Sequence, residues 1–349
     1  MTGNQKKIGI AVVAAIICAV AFYFLYWIKT PVYSLGIIRD SIEKHDVATF
    51  EKHVDLDTLY NKGFDDALIA YGRLEGHDIL SNPFAMGFIQ MVKPTVISEL
   101  KAKTLESVKG EDTAEQKKSM SSDMEIMAKN MKKKSGISNS TFKDASVISK
   151  ENNVAIVAVK IHNEQLEKDF NLNVKMTKLD DGTWKVKELT NLVDFMMAVD
   201  KATKEKIAEL NKPIREKMQS TLAVNDTEMK LGVEKAFIPY YWIDCKATLK
   251  NTGDKEITGF VAEYFVKDKD DRVVKKVMQP YGMKAIPSNG EITVERKINI
   301  SKYNEDDKKI ISSPDTYHIS AEITSITFKD GTSLHMLNRL PEKADKKKK

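Results

Sequence analysis

Cysteine is nearly absent from this 349-residue chain, with Cys18 and Cys245 the only two. Cys18 lies within an apolar run and Cys245 in the body, so the two do not pair and no disulfide framework supports the fold. Stability must come from ordinary cores, and the length is enough for two of them. Catalytic signatures are missing as well. There is no phosphate-cradling glycine loop, paired-cysteine metal motif, zinc-helix histidine pair or nucleophile-elbow serine, and the six histidines are scattered. The expectation is a chain that is not an enzyme, with no catalytic residue, no cofactor and no metal.

The nearest approach to a metal cluster is His45, Asp46, His53, Asp55 and Asp57. These types can ligate a divalent cation, but a site needs at least three that converge with supporting partners. His45 and His53 are slightly over two helical turns apart, while Asp46 suits a helix cap and Asp55 a helix stop. Net charge is also scarce where it would count. Of the formal +5, residues 1–29 carry +3 from Lys6, Lys7 and Lys29. Glu342 to Lys349 carry another +3, from five lysines against Glu342 and Asp345, which leaves the body at −1. No nucleic-acid footprint survives in the folded part. The basic end, 341–349, reads as a solvated, disordered tail.

What the sequence does contain begins with residues 8–28, bounded by Ile8 and Ile28, which hold no charged residue. As a helix they would reach about 31 Å, close to the thickness of a bilayer's hydrocarbon core. Lys6 and Lys7 precede the run and Lys29 closes it, with Tyr26 and Trp27 at its far boundary, where amphipathic rings prefer the headgroups. Ala19-Val20-Ala21 has the form a signal peptidase accepts, yet 22–28 stays apolar beyond it. The expectation is an uncleaved anchor in the lipid bilayer. Residues 1–7 would be cytoplasmic and the body extracytoplasmic, at the cell membrane.

The body divides by periodicity. Pro31 opens a helix with Leu35, Ile38 and Ile42 on one face, and Asp46 caps a second that points Val47, Phe50 and Val54 inward. A helical pattern starting near Asn82-Pro83 runs through Ile97 and Val108 to Gly110. The segment 113–134 reads as another helix, with Met120, Met124, Met127 and Met131 on one face, more in keeping with core filling than with soft-metal or partner binding. Residues 154–161 form an apolar strand. Phe170, Leu172, Val174 and Met176 alternate with polar residues, and Asp181-Gly182 turns the chain into Trp184-Lys185-Val186. Helices followed by an antiparallel sheet indicate an α+β domain over 30–192.

Residues 193–226 read as a helical connector, kinked at Pro213. From 227 to 340 the pattern is strand. Ile243, Cys245, Ala247 and Leu249 face one way and Asp244, Lys246, Thr248 and Lys250 the other, which makes Cys245 a small core residue. About seven strands at this spacing suggest an all-β immunoglobulin-like sandwich.

Two stretches resemble known families. Residues 30–195 resemble a bacterial membrane-anchored family catalogued as domain of unknown function 2939. The resemblance rests on Pro31-Val32-Tyr33-Ser34-Leu35, the span from Ile42 to Asp46, Phe50, Val54-Asp55, Asn82-Pro83-Phe84-Ala85 and Trp184-Lys185-Val186. Residues 230–340 are similar to FxLYD-type sandwich domains through Lys250 to Asp254, Tyr264 to Asp268 and Val273-Val274, with Lys267 standing where an aromatic is expected. Together the resemblances imply an envelope protein built for contact with protein or cell-envelope partners. The alternative is a ligand-binding or sensory module with a pocket in the α+β domain around Trp184, Phe170 and Leu172.

Overall fold

The computed structural model describes residues 26–75, 83–111, 140–235, 237 and 239–341. The described chain divides into two units, one up to Lys204 and one from Glu205, so the division falls inside the stretch expected to connect two domains. The helix expected over 113–134 and the tail at 342–349 lie outside the described residues.

The expected membrane anchor requires correction. Among the described residues, no helix is long and apolar enough to cross a membrane. Ile8 and the run as far as residue 25 lie outside the described residues. Where the run re-enters, Tyr26 is non-helical and Trp27–Lys29 make a single 3₁₀ turn that contains Ile28. That turn is tied to the folded body: the carbonyl of Lys29 accepts the indole N–H of Trp184 at 2.9 Å. Its geometry is that of a lead-in to the first body helix. The anchor roles of Ile8, Tyr26, Trp27 and Ile28 are therefore not carried forward, and neither are the single-pass topology, the cytoplasmic N-terminus with extracytoplasmic body, or the cell-membrane location.

In the first unit, α1 (Pro31–Glu43) starts where the Thr30 hydroxyl accepts the Tyr33 N–H at 3.1 Å, with proline in the first turn where no N–H is needed. α2 (Val47–His53) is capped by Asp46, which accepts both the N–H and the hydroxyl of Thr49. α3 (Leu56–Glu75) begins beside Asp55, which accepts the Thr58 N–H. α4 (Pro83–Lys109) continues through Pro94 and stops at Gly110, whose φ of +76° suits the residue that ends a helix.

An antiparallel sheet follows, with β1 (Ser140–Glu151), β2 (Val154–Asn163), β3 (Lys168–Lys178) and β4 (Trp184–Leu189) lying side by side in chain order. Ala155, Val157, Val174, Met176, Trp184 and Val186 pack against Val32, Leu35 and Ile38 of α1 and Leu59 of α3. A smaller cluster, Phe50, Val54, Leu56 and Val108, joins α2, α3 and α4. The backbone N–H of Asp55 donates to Val186 at 2.9 Å, joining the helical layer to the edge strand β4.

α5 (Leu192–Gln219) spans the division between the units. The second unit contains β5 (Leu222–Glu234), β6 (Tyr240–Asn251), β7 (Ile257–Asp268), β8 (Val273–Ile286), β9 (Glu291–Ile300), α6 (Glu305–Ser312), β10 (Tyr317–Phe328) and β11 (Ser333–His335). Two antiparallel sheets result, ordered β5-β6-β9 and β11-β10-β7-β8. They share one core. Ile243, Cys245, Ala247 and Leu249 of β6 meet Phe260, Ala262, Tyr264 and Val266 of β7 and Ile319, Ile323 and Ile326 of β10. Fully burying a side chain such as Ile243 or Leu249 contributes about 1.5–3 kcal/mol, so this strand alone anchors much of the three-stranded sheet.

Asn251 fastens the end of that sheet. It has no exposed surface, its amide N–H₂ donates to the carbonyls of Lys255, Ile286 and Pro287, and its oxygen accepts the Gly253 N–H. One side chain thereby joins the turn after β6 to the turn after β8.

Candidate binding surface on the sandwich unit

The residues expected to line a pocket sit in the first unit. Trp184 has no exposed surface, its backbone N–H donates to the Ser34 hydroxyl at 2.9 Å, and its ring lies within the core. Phe170 and Leu172 are half-buried on β3, with Phe170 meeting Phe195 edge-on at 6.0 Å.

The acidic and histidine residues near α2 are used structurally. His45 Nδ1 donates to the Val108 carbonyl, His53 Nδ1 donates to the Thr49 carbonyl, Lys187 pairs with Asp55 at 2.6 Å and Lys101 with Asp57 at 2.6 Å. Burial works against ionisation of Asp55, but the hydrogen bonds from Lys187 and Thr58 overcome it and lower its pKa to about 2. Among the described residues, no group of three or more metal-ligating side chains converges. Cys245 is enclosed by the sandwich core, and burial, aided by the charge of Asp244, pushes its thiol up to about 12. At neutral pH it is an inert thiol.

The distinctive surface is the outer face of β5-β6-β9. Because β6 alternates, its inward residues fill the core and its outward ones form the middle column of a solvent-facing lattice. Register sets the rows: Glu228, Lys246 and Glu295; then Lys230, Asp244 and Lys297; then Gly232, Trp242 and Asn299. The first two rows are cross-strand pairs of opposite charge, a normal solvated face. The third row breaks the pattern, and Tyr240 opposite Glu234 extends the break to the end of the sheet.

Gly232 explains how Trp242 is held. A Cβ there would lie 2.2 Å from the indole ring, so the ring occupies the space that any side chain on β5 would need. The indole N–H donates to Asp244 at 2.9 Å, which pins the ring's orientation. Lys297 brings its amine within 4.6 Å of the ring centroid. Tyr240 lies beside Trp242, centroids 5.7 Å apart and planes tilted by 34°.

More aromatic surface collects at the same end of the sandwich. Phe237, in the loop between β5 and β6, is fully exposed, Tyr240 is 46% exposed and Tyr303, just after β9, is 79% exposed. The pairing of Tyr241 with Ile300 brings the start of β6 beside the end of β9, so both segments reach this end. Lys302 sits 5.2 Å from the Tyr303 ring centroid. The arrangement offers stacking planes together with donors and acceptors from Lys230, Lys297, Asn299, Asp244 and Glu234.

Reading by sequence pattern alone treats Trp242 as one more strand residue. The available signal is parity: Trp242 shares the polar face with Asp244, Lys246, Thr248 and Lys250, where an aromatic is out of place.

No protein-family model matches the chain, and no curated protein matches it either. Neither sequence resemblance gains support from these comparisons. Among solved structures, the X-ray structure of Northeast Structural Genomics Consortium target SoR45 is similar over 33% of this chain and 80% of that one, at 10% identity and a TM-score of 0.23. Similarity at that level carries no argument about fold or function.

Proposed function

We propose that this chain is a non-catalytic binding protein that acts through contacts made by the aromatic end of its sandwich unit, with a protein or a cell-envelope component as partner. The observation that carries the reading is the gathering of Phe237, Tyr240 and Tyr303, all exposed, at one end of the sandwich, with Tyr240 beside the partly covered Trp242. Exposed apolar side chains scattered singly need no explanation, whereas several exposed aromatics collected at one end of a unit, beside polar groups, mark an interaction surface. Tyrosine and tryptophan also dominate the energetically important centres of interfaces, because they bring large area at small conformational cost.

The test places a photoreactive amino acid at Phe237 or Tyr303, with Lys329 as a control position, in cells that make the full chain. Adducts from Phe237 and Tyr303 to a shared macromolecule, absent at Lys329, are expected. No adduct from either position, or the same adducts at the control, overturns the reading.

A further inference from the structure

We propose that Tyr240 and Trp242 form a binding site for a neutral glycan, the C–H face of a pyranose ring stacking on the two aromatic planes. This rests on the contact role proposed for the same surface and names its ligand class.

Three observations point to a sugar. The rings are neighbours, with centroids 5.7 Å apart and planes tilted by 34°, so a single hexose is large enough to reach both.

The rim carries no net charge: Lys230 and Lys297 are offset by Glu234 and Asp244, all placed around the rings by the strand register. An anionic polymer or lipid headgroup gains no net attraction here, nor does a cationic peptide. Hydroxyl-rich ligands need donors and acceptors together, and this rim supplies both. The Asn299 amide can donate, as can Lys297 once its amine, which lies 4.6 Å from the Trp242 ring centroid, swings to the rim to admit the sugar, and Asp244, Glu234 and the Asn299 oxygen can accept.

The third observation is the preparation of the Trp242 plane. Gly232 leaves room for the ring on β5, and the hydrogen bond from its indole N–H to Asp244 fixes the orientation. A plane already held in position loses little freedom when a ligand stacks on it. Covering a strand glycine with an aromatic can also serve sheet stability alone. That accounts for Trp242 but leaves the exposed ring of Tyr240 without a role.

The experiment titrates the full chain with chitohexaose, cellohexaose and laminarihexaose by calorimetry at low and high salt, alongside thermal melts of each variant. At least one hexasaccharide is expected to bind with little dependence on salt. Tyr240→Ala is expected to weaken that binding by about tenfold or more, equivalent to about 1.4 kcal/mol, without lowering the melting temperature. Trp242→Phe, which keeps a ring over Gly232, is expected to bind more weakly while still folding.

No binding of any hexasaccharide at millimolar concentration overturns the proposal, as does binding that Tyr240→Ala leaves unchanged or that high salt abolishes. If Phe237 and Tyr303 crosslink to a shared protein while no hexasaccharide binds, the glycan assignment falls and the contact reading stands. If the crosslinks also fail, both fall.

Discussion

Gly232 and Trp242 are a matched pair, and substituting the smaller residue tests the geometry of the larger one. A valine at position 232 would place atoms where the indole lies, so the ring must swing away. Gly232→Val is expected to destabilise the sandwich unit by about 1–3 kcal/mol, the usual cost of overpacking, as read by chemical denaturation. Its tryptophan emission should shift to longer wavelength as Trp242 enters water. Cys245 yields a second residue-level prediction. In a Cys18→Ser chain at pH 8, the native protein should react with a thiol reagent only as fast as it unfolds, because the thiol is buried and its pKa is pushed up to about 12.

The pH dependence of the first unit turns on Asp55. Its pKa is lowered to about 2, against about 3.9 for an unfolded aspartate, so the folded state binds the proton less readily. The resulting stability is fully present above about pH 4 and is lost as pH falls through about 2. Asp55→Asn is therefore expected to cost on the order of 1–2 kcal/mol at pH 7 and progressively less as acid is added, measured by denaturation across that window. A loss that stays constant with pH would contradict the ion pair with Lys187 as its source.

At the scale of elements, turns and caps carry much of the fixing. Asn251 satisfies three carbonyls and one N–H from two turns. Replacing it with alanine strands those buried groups, at about 2–6 kcal/mol if two of them remain unpaired at the usual cost for each. A hydrogen-exchange map should then show protection lost first in the turns after β6 and β8.

Elements with a strong periodic signal are legible in the chain. Ile243, Cys245, Ala247 and Leu249 of β6 enter the core as their alternation indicates, and the Asp46 cap and the Asp181-Gly182 turn also stand where their residue types place them. β1 was not legible. It lies at the sheet edge with nearly every residue exposed, so neither face is selected to be apolar and no alternation appears. α6 escaped because an eight-residue helix buries only Asp307 and Ile310, and a buried aspartate reads as surface. Its carboxylate accepts the Ser301 N–H and pairs with Lys275 at 2.7 Å, partners that lie outside the helix. The aromatic surface was only partly legible: the parity of Trp242 marks it, but Phe237 and Tyr303 lie in loops that only the pairing of β6 with β9 brings to the same end.

At the scale of the whole molecule, each unit has its own core, so the two should respond separately to substitutions. Asp55→Asn is expected to lower only the transition of the first unit in calorimetry, and Asn251→Ala only that of the second. A single transition shifted equally by both variants would show that the units unfold as one.

α5 sets where such a chain can be divided. Phe195, Met196, Val199 and Ala202 near its start are buried, with Phe195 against Phe170 of the first unit, while Met218 near its end lies in the sandwich core. Asn211 exchanges two hydrogen bonds with the backbone of Leu337, so the sandwich holds the helix from that point onward. Residues 203–210 contain no buried side chain. A protease site introduced there would interrupt only solvated helical turns. Each fragment would then keep the part of the helix that it buries, whereas a cut a few turns to either side would remove a piece of one core.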